Sequence, residues 1–312
     1  MNRVPLLAAG LAASGAVGSA SAAPFDSLTG MPEWMRFGLM FAALGIGLWL
    51  RYTRRFKPVP GLKLVFVGAM RKDERSWSWA VAAPYHAGHQ TPIDGPDPHP
   101  SAEVKERLRT MLSRDWGIED RASLIQRLNA LGESGHRRRH VPAVQGYSLL
   151  PADAYQRMRE RFAEKAKSDE DAAAELFRLD AAYHDMPGVR GASFLAFDAA
   201  RAVMLARSGY SLGWLTEAET WTFVLQVGHA VQAGFASWEA YGRDYTLGRQ
   251  FWAGTAQPSL FDRLVTQLLQ ETRSPWRQLR WDHGPKTAPD GAGLPPDAPY
   301  WTNETWARSA AE

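Results

Sequence analysis

From Ser101 onward the chain repeats one pattern, in which a capping residue precedes apolar residues three and four apart and a glycine or break follows. Residues three and four apart share one face of an α-helix. No strand-length alternation of apolar and polar residues interrupts the series. The sequence therefore predicts a mainly α, multi-helix globular domain over residues 101–281, with helices over 102–114, 121–131, 151–167, 169–185, 191–207, 217–234, 238–252 and 260–272.

The starts of these helices carry residues that satisfy free backbone N–H groups. Thr216 with Glu219 has the spacing of a capping box, and Ser168 with Asp171 resembles one. The other predicted helix starts are marked by Ser101, Asp120, Pro151, Ser237 and Ser259.

The segments that flank the helical domain are rich in Pro and Gly. At most a short strand or hairpin is predicted near residues 62–68, and residues 83–100 predict a loop. Residues 53–100 are therefore expected to be a basic juxtamembrane segment and linker. Residues 282–312 form a Pro-, Gly- and Ala-rich tail, and its part up to residue 299 is predicted to be extended or disordered.

Residues 1–23 are typical of a bacterial signal peptide. They contain Arg3 near the start, then a short apolar run, and then the small residues Ala20, Ser21 and Ala22. The alternative is an uncleaved apolar N-terminal segment, which is poorly suited to spanning a bilayer because the run is short.

Residues 34–52 predict a transmembrane helix, since the run is apolar except for Arg36 near its start and Arg51 near its end. Aromatic residues lie at both expected interfaces, and residues 51–75 hold eight Lys or Arg and two acidic residues. The positive-inside rule then predicts a single-pass protein of the bacterial inner membrane with its helical domain in the cytoplasm. A buried core helix is the alternative, and it would leave the basic cluster unexplained.

The composition excludes several kinds of chemistry. The chain has no Cys, so disulfides, thiolate nucleophiles and thiolate metal sites are ruled out. Residues 76–312 hold 26 basic and 29 acidic residues, so a nucleic-acid partner is not expected and the basic segment instead indicates a membrane. No cofactor is predicted, because the phosphate-loop, dinucleotide, zincin and serine-hydrolase motifs are all missing.

The predicted helix over residues 191–207 is apolar almost all round, which indicates a central position. Asp198 and Arg201 lie three residues apart on its apolar face, so both are expected to be buried and paired. We expect Arg249 to join them in one buried polar cluster. The sequence leaves open whether this cluster is structural or forms a binding or catalytic site.

A stripe of aromatic residues follows in the C-terminal third of the domain. Trp238, Tyr241, Tyr245 and Trp252 fall on one face of a predicted helix that also carries Arg249. Such a stripe favours a core face, and a ligand pocket is the alternative. The full set of candidate aromatic residues is Trp221, Trp238, Tyr241, Tyr245, Trp252 and Trp276.

The histidines give a weak signal for metal binding. His184 and Asp185 form the adjacent pair that metal phosphohydrolases of the HD superfamily use, but a His near a helix C-terminus explains the pair more simply. Residues 136–140, two histidines around three arginines, are expected to form an exposed loop. The remaining candidates, which have no acidic ligand set nearby, are His86, His89 and His99.

Several short motifs occur together over residues 114–281. They are Trp116-Gly117-Ile118, Phe197-Asp198-x-x-Arg201, Leu215-Thr216-Glu217-Ala218-Glu219-x-Trp221, Ser237-Trp238-x-x-Tyr241, Tyr245-x-x-Gly248-Arg249-x-x-Trp252 and Ser274-Pro275-Trp276-x-x-Leu279-x-Trp281. In this order they resemble the bacterial domain of unknown function 1266 family (YbeU/YbeR-like). The resemblance implies a cytoplasmic helical domain and supplies no chemistry, and residues 1–57 lie outside it.

The sequence favours a non-enzymatic function, in which a membrane-anchored cytoplasmic helical domain binds a protein partner or a small ligand. The alternative is a hydrolase that acts on a phosphate-containing or nucleotide substrate. Geometry separates the two, because the hydrolase needs four side chains around one cleft, those of His184, Asp185, Asp198 and Arg201.

Overall fold

The computed structural model describes residues 64–97, 99–186 and 188–301 of the chain. The predicted signal peptide and the predicted transmembrane helix at residues 34–52 lie outside the described residues. Within the part described, every helix is too short or too polar to cross a membrane.

The described residues fold into α-helices joined by short turns, which confirms the mainly α prediction. In this part of the chain, β-pairing is limited to an isolated bridge between Val65 and Pro92. The helices are α1 (Glu74–Ala80), α2 (Ala83–Gly88), α3 (Ala102–Trp116), α4 (Arg121–Glu133), α5 (Arg137–Ser148), α6 (Ala152–Lys165), α7 (Glu170–Tyr183), α8 (Leu195–Leu212), α9 (Glu217–Gly234), α10 (Trp238–Ala253), α11 (Leu260–Gln270) and α12 (Pro275–Gln278).

Most of the predicted helix starts are confirmed by hydrogen bonds from the helix backbone to the capping side chain. Thr216 and Glu219 form the predicted capping box, and such caps are also present at Ser101, Asp120, Ser237 and Ser259. The prediction at Ser168 is wrong by one residue. The backbone N–H of Ser168 still bonds to the preceding turn, so the carboxylate of Asp169 caps α7 instead.

Helix α8 is the apolar helix at the centre of the fold. It packs against α4, α9 and α10 and also contacts α2 and α3. It begins and ends later than the predicted range 191–207, because the carboxylate of Asp244 on α10 fixes its start. That carboxylate accepts hydrogen bonds of 2.7, 3.0 and 3.0 Å from the backbone N–H groups of Ser193, Phe194 and Ala196. Gly213, with a φ of 76°, ends the helix.

The expected linker contributes to the core, which corrects its prediction. Asp73 caps α1, and this helix places the fully buried Trp77 and Trp79 in the core. The Trp77 ring lies 4.7 Å from that of Trp238. The predicted loop of residues 83–100 also begins with a helix, α2, since Pro84 is accepted in a first helical turn.

The C-terminal segment contains no helix between His283 and Trp301, but it is packed on the domain. The side chain of Gln226 donates to the carbonyl of Pro289 and accepts from the backbone N–H of Trp301. Trp301 is 1% exposed. The alternative of a disordered tail is therefore wrong up to this residue, because the indole fills a place in the core.

Candidate functional site

The carboxylate of Asp198 on α8 is fully buried. It binds two guanidinium groups and two backbone N–H groups at the start of α5. Its Oδ1 accepts from the backbone N–H of His136 at 2.9 Å and from the Arg201 guanidinium. Its Oδ2 accepts from the backbone N–H of Arg137 at 3.2 Å and from Arg137 Nη1 at 3.1 Å. We call Asp198, Arg137 and Arg201 the Asp198 cluster.

Arg137 extends this cluster to the end of α4. Its guanidinium donates to the carbonyl of Leu131 at 2.7 Å and to the carbonyl of Gly132. The backbone turn between α4 and α5 requires glycine at position 135, which has a φ of 45°, because a Cβ there would lie 2.1 Å from Asp198 Oδ2. The cluster therefore fixes α4, α5 and α8 to one another.

The prediction of an exposed loop at residues 136–140 is wrong. The segment forms the start of α5, and Arg137 and His140 are 1% and 2% exposed. Only Arg138 and Arg139 face solvent. The physical reason is the buried carboxylate of Asp198, which supplies both a charge for Arg137 and acceptors for the first N–H groups of α5.

A cavity of about 630 Å³ opens beside the Asp198 cluster, and we call it the α8 cavity. Its walls come from α2, α3, α4, α8, α10 and α11 and from the turn before α5. Five aromatic side chains line it, and Trp252 is the most accessible of them at 50% exposed. They are Tyr85, Trp116, Phe197, Trp252 and Phe261.

Three arginines also line the α8 cavity. The Arg201 guanidinium lies 4.1 Å from the centroid of the Phe197 ring, and the Arg249 guanidinium lies 5.5 Å from that of Phe261. Arg249 has no salt bridge to any described carboxylate. Contrary to the prediction, it does not join the Asp198 cluster. It lines the cavity from α10. Arg127 donates to the carbonyl of Trp116 at 3.1 Å.

The negative charge at the cavity is small and already neutralised. Asp115 lines the cavity, and its carboxylate lies 2.7 Å from the guanidinium of Arg114. This contact is the largest cause of the lowered pKa of Asp115. The lining is therefore positive. Arg201 pairs with Asp198, whereas Arg249 has no carboxylate partner among the described residues.

Two histidines and a tyrosine line the same cavity in their neutral forms. Desolvation, and then the charge of Arg201, lowers the pKa of His136 to about 4. Desolvation, and then the charge of Arg207, lowers the pKa of His89, although this residue is exposed. Burial raises the pKa of Tyr85. At neutral pH these groups are uncharged, so the arginines dominate the electrostatics of the site.

The sequence matches the family described as Protein of unknown function (DUF1266) over residues 111–281. The chain belongs to this family. Uncharacterized protein YbeR of Escherichia coli (strain K12) is 27% identical over 142 residues, which cover 45% of this chain and 56% of that protein. The chain thus spans little more than half the length of this curated relative. No solved structure matches the chain.

The matched range of the family contains most of the cavity wall, from Met111 on α3 to Phe261 on α11. Tyr85 and His89 are lining residues that lie before it. The family's description names no activity.

The predicted aromatic stripe divides between core and cavity. Trp238, Tyr241, Tyr245 and Trp276 are at most 4% exposed and form core. Trp252 lines the cavity, and the partly buried Trp221 packs with Trp79. Sequence reasoning missed Tyr85 and Phe261 as site residues, and it quoted Trp116 without assigning it a role. The signal for Phe261 was weak, since an aromatic residue after a helix cap is common.

The predicted metal pair is not part of this site. His184 is exposed, and its Nε2 lies 3.0 Å from the hydroxyl of Tyr155, while the Asp185 carboxylate accepts from the backbone N–H of Arg190. Within the described ranges, no group of three His, Asp or Glu residues is placed to hold a metal ion. The four residues of the hydrolase alternative do not share a cleft, because Asp198 is enclosed by its own cluster.

Of the loop histidines, His86 is fully buried and His89 lies at the cavity. The His86 ring stacks on Trp79 at 5.1 Å. His99 follows a turn in which its backbone N–H bonds to Asp97. The H-x-x-H spacing of His86 and His89 therefore places the two rings in different surroundings.

Proposed function

We propose that this chain binds a small organic anion with a flat apolar part in the α8 cavity. The volume of about 630 Å³ lies within the usual range for small-molecule sites, about 300 to 1,000 Å³. Aromatic rings on several walls offer faces for a flat group, and guanidinium groups offer paired donors for an anionic one.

Arg249 is the observation that carries this proposal. A structural arginine in a folded domain is expected to have a carboxylate or carbonyl partner. Arg249 has no hydrogen-bond or salt-bridge partner among the described residues, and its guanidinium lies against Phe261 at the edge of an aromatic cavity. An anion in the cavity would supply the missing acceptor.

The hydrolase alternative has less support. Its candidate residues are split between the enclosed Asp198 cluster and the exposed His184. The arginines, in contrast, form a positive lining, and Asp115 is the one acidic residue among the described lining residues. Binding without chemistry is therefore the function that this geometry supports best.

Isothermal titration of the full-length chain in detergent tests the proposal, with phenyl phosphate and benzoate as probes. A charge-assisted hydrogen bond contributes about 1.5 to 3 kcal/mol, so Arg249→Gln should weaken binding roughly 10- to 100-fold. Arg243→Gln is the matched control, because Arg243 lies on the same helix and is exposed. Equal affinities for wild type and both variants, or no binding of either probe, would overturn the proposal.

We also propose that residues 34–52 anchor the domain in the inner membrane with residues after 52 in the cytoplasm. The support is the apolar run and the eight basic residues of positions 51–75. Alkaline phosphatase fused after residue 60 should be inactive in a bacterial host, and a fluorescent protein fused at the same place should fluoresce. Strong phosphatase activity would place the domain on the other side.

A further inference from the structure

Building on the proposed function, we infer that the natural ligand of the α8 cavity is a dianion of the phosphate monoester class, with the phosphate attached to a flat organic group. The inference depends on an excess of positive charge at and directly behind the cavity wall.

The Asp198 cluster itself carries a net positive charge. One carboxylate, that of Asp198, is shared by the guanidinium groups of Arg137 and Arg201. All three residues are at most 5% exposed. Arg201 also lines the cavity, so the Asp198 cluster brings one guanidinium group, shared with the Asp198 carboxylate, to the cavity wall.

Arg207 adds a second buried positive charge. It is 3% exposed, and its Nε and Nη2 atoms have no hydrogen-bond partner among the described residues. Burial lowers its pKa to about 10, which still leaves it charged at neutral pH. It lies one helical turn after Met204, a cavity residue, and its charge contributes to the lowered pKa of His89, which also lines the cavity.

The lining arginines outside α8 complete the excess. Arg249 is partly buried and has no carboxylate partner in the described part of the chain, and Arg127 lies exposed at the rim. The carboxylate of Asp115 is held by Arg114 and cannot neutralise them. Buried charges that are not neutralised by the protein are costly, so the missing negative charge has to come from what binds.

A phosphate monoester matches this excess better than a carboxylate does. It carries nearly two negative charges at neutral pH and three acceptor oxygens, against one charge and two oxygens for a carboxylate. The walls carry aromatic rings suited to a flat group, and a long flexible chain would not use their faces. A soluble phosphorylated metabolite is therefore favoured over a phospholipid with the same headgroup chemistry.

Three probes with the same ring separate charge from shape. Phenyl phosphate is a dianion at pH 8, methyl phenyl phosphate is a monoanion, and benzoate is a monoanionic carboxylate. Titrated into the full-length chain in detergent at pH 8, phenyl phosphate should bind at least tenfold more tightly than either monoanion. At pH 5, below its second pKa of about 6, its advantage over methyl phenyl phosphate should disappear.

The variant Arg207→Met tests whether the buried charge of Arg207 causes the preference for phenyl phosphate. The variant should bind methyl phenyl phosphate nearly as wild type does and lose most of the preference for phenyl phosphate, while Arg263→Met, an exposed residue on α11, should change neither. The pH comparison in wild type gives the answer even where Arg207→Met fails to fold.

The outcomes distinguish the two proposals. Equal affinities for the three probes at pH 8 would overturn the dianion inference and leave anion binding intact, whereas no binding of any probe would overturn both. A third arm titrates short-chain phosphatidic acid into the full-length chain in the same detergent. If this lipid displaces phenyl phosphate and binds more tightly than phenyl phosphate does, the assignment to a soluble flat ligand is overturned.

Discussion

The Asp198 cluster and the α8 cavity share Arg201, but they differ in how charge is paired. The protein pairs the charges within the cluster and leaves a positive charge without a counter-charge at the cavity. Around Asp198, the carboxylate, both guanidinium groups and the first N–H groups of α5 bind one another. At the cavity, Arg249 has no acceptor in the described part of the chain. Paired buried charges hold helices together, whereas unpaired charges beside a cavity indicate a binding site.

The largest effect in this comparison is expected from Asp198→Ala. It removes the acceptor of two buried guanidinium groups and two backbone N–H groups, so the free energy of unfolding should fall by about 3 to 5 kcal/mol. Denaturant melts of the full-length chain measure this change. The double variant Asp198→Ala with Arg201→Met should recover part of the loss. If Asp198→Ala is as stable as wild type, the cluster is not structural.

The next largest effect contrasts two neighbouring arginines. Arg137→Met should lower the free energy of unfolding by about 2 to 3 kcal/mol, because it removes charged hydrogen bonds to Asp198 and to the end of α4 while Arg201 still pairs with Asp198. Arg138→Met is the matched control, since Arg138 is exposed, and should change stability by less than about 0.5 kcal/mol. Equal losses in both variants would contradict the role given to Arg137.

The third prediction concerns acid stability, and it rests on His140. Desolvation is the largest cause that lowers its pKa to about 3, and the charge of Arg178 adds to it. Both ring nitrogens have no hydrogen-bond partner among the described residues. The unfolded state therefore binds a proton that the folded state does not, and stability falls as pH drops below about 6.5 toward 3.

At pH 5 this single residue should account for about 2 kcal/mol of the loss relative to pH 8. The variant His140→Phe keeps a ring between Phe194 and Phe251. The loss of unfolding free energy between pH 8 and pH 5 should therefore be smaller in this variant than in wild type by this amount. The pH 8 melt of the variant is the reference for any change in packing. An unchanged acid sensitivity would show that His140 is not the group that titrates.

The sequence predicts local features of this fold well, because they depend on neighbours in the chain. The cap at Thr216 and the pair of Asp198 and Arg201 each depend on residues three apart. Helix α1 was missed because its seven residues, Glu74–Ala80, are too few to show a helical period. Its position in the core comes from packing of Trp77 against residues far along the chain.

The candidate site was harder to predict for the same reason. Arg137 meets Asp198 across 61 residues, so three consecutive arginines gave no sign that the first is buried and the second exposed. Arg249 was predicted to join the Asp198 cluster, but it lines the cavity instead. The cavity itself depends on how separate helices are arranged, which periodicity within each helix does not specify.

The smallest effect on stability is expected from Arg249→Gln, and this variant tests the comparison most directly. Because Arg249 has no carboxylate partner among the described residues, its removal should change the free energy of unfolding by less than about 0.5 kcal/mol. The same variant should lose anion binding, so stability and binding separate at this position. A substitution in the Asp198 cluster would instead lower stability and anion binding together. A loss of several kcal/mol in the denaturant melt of Arg249→Gln would mean that the cavity arginine is structural, and the distinction between the two regions would fail.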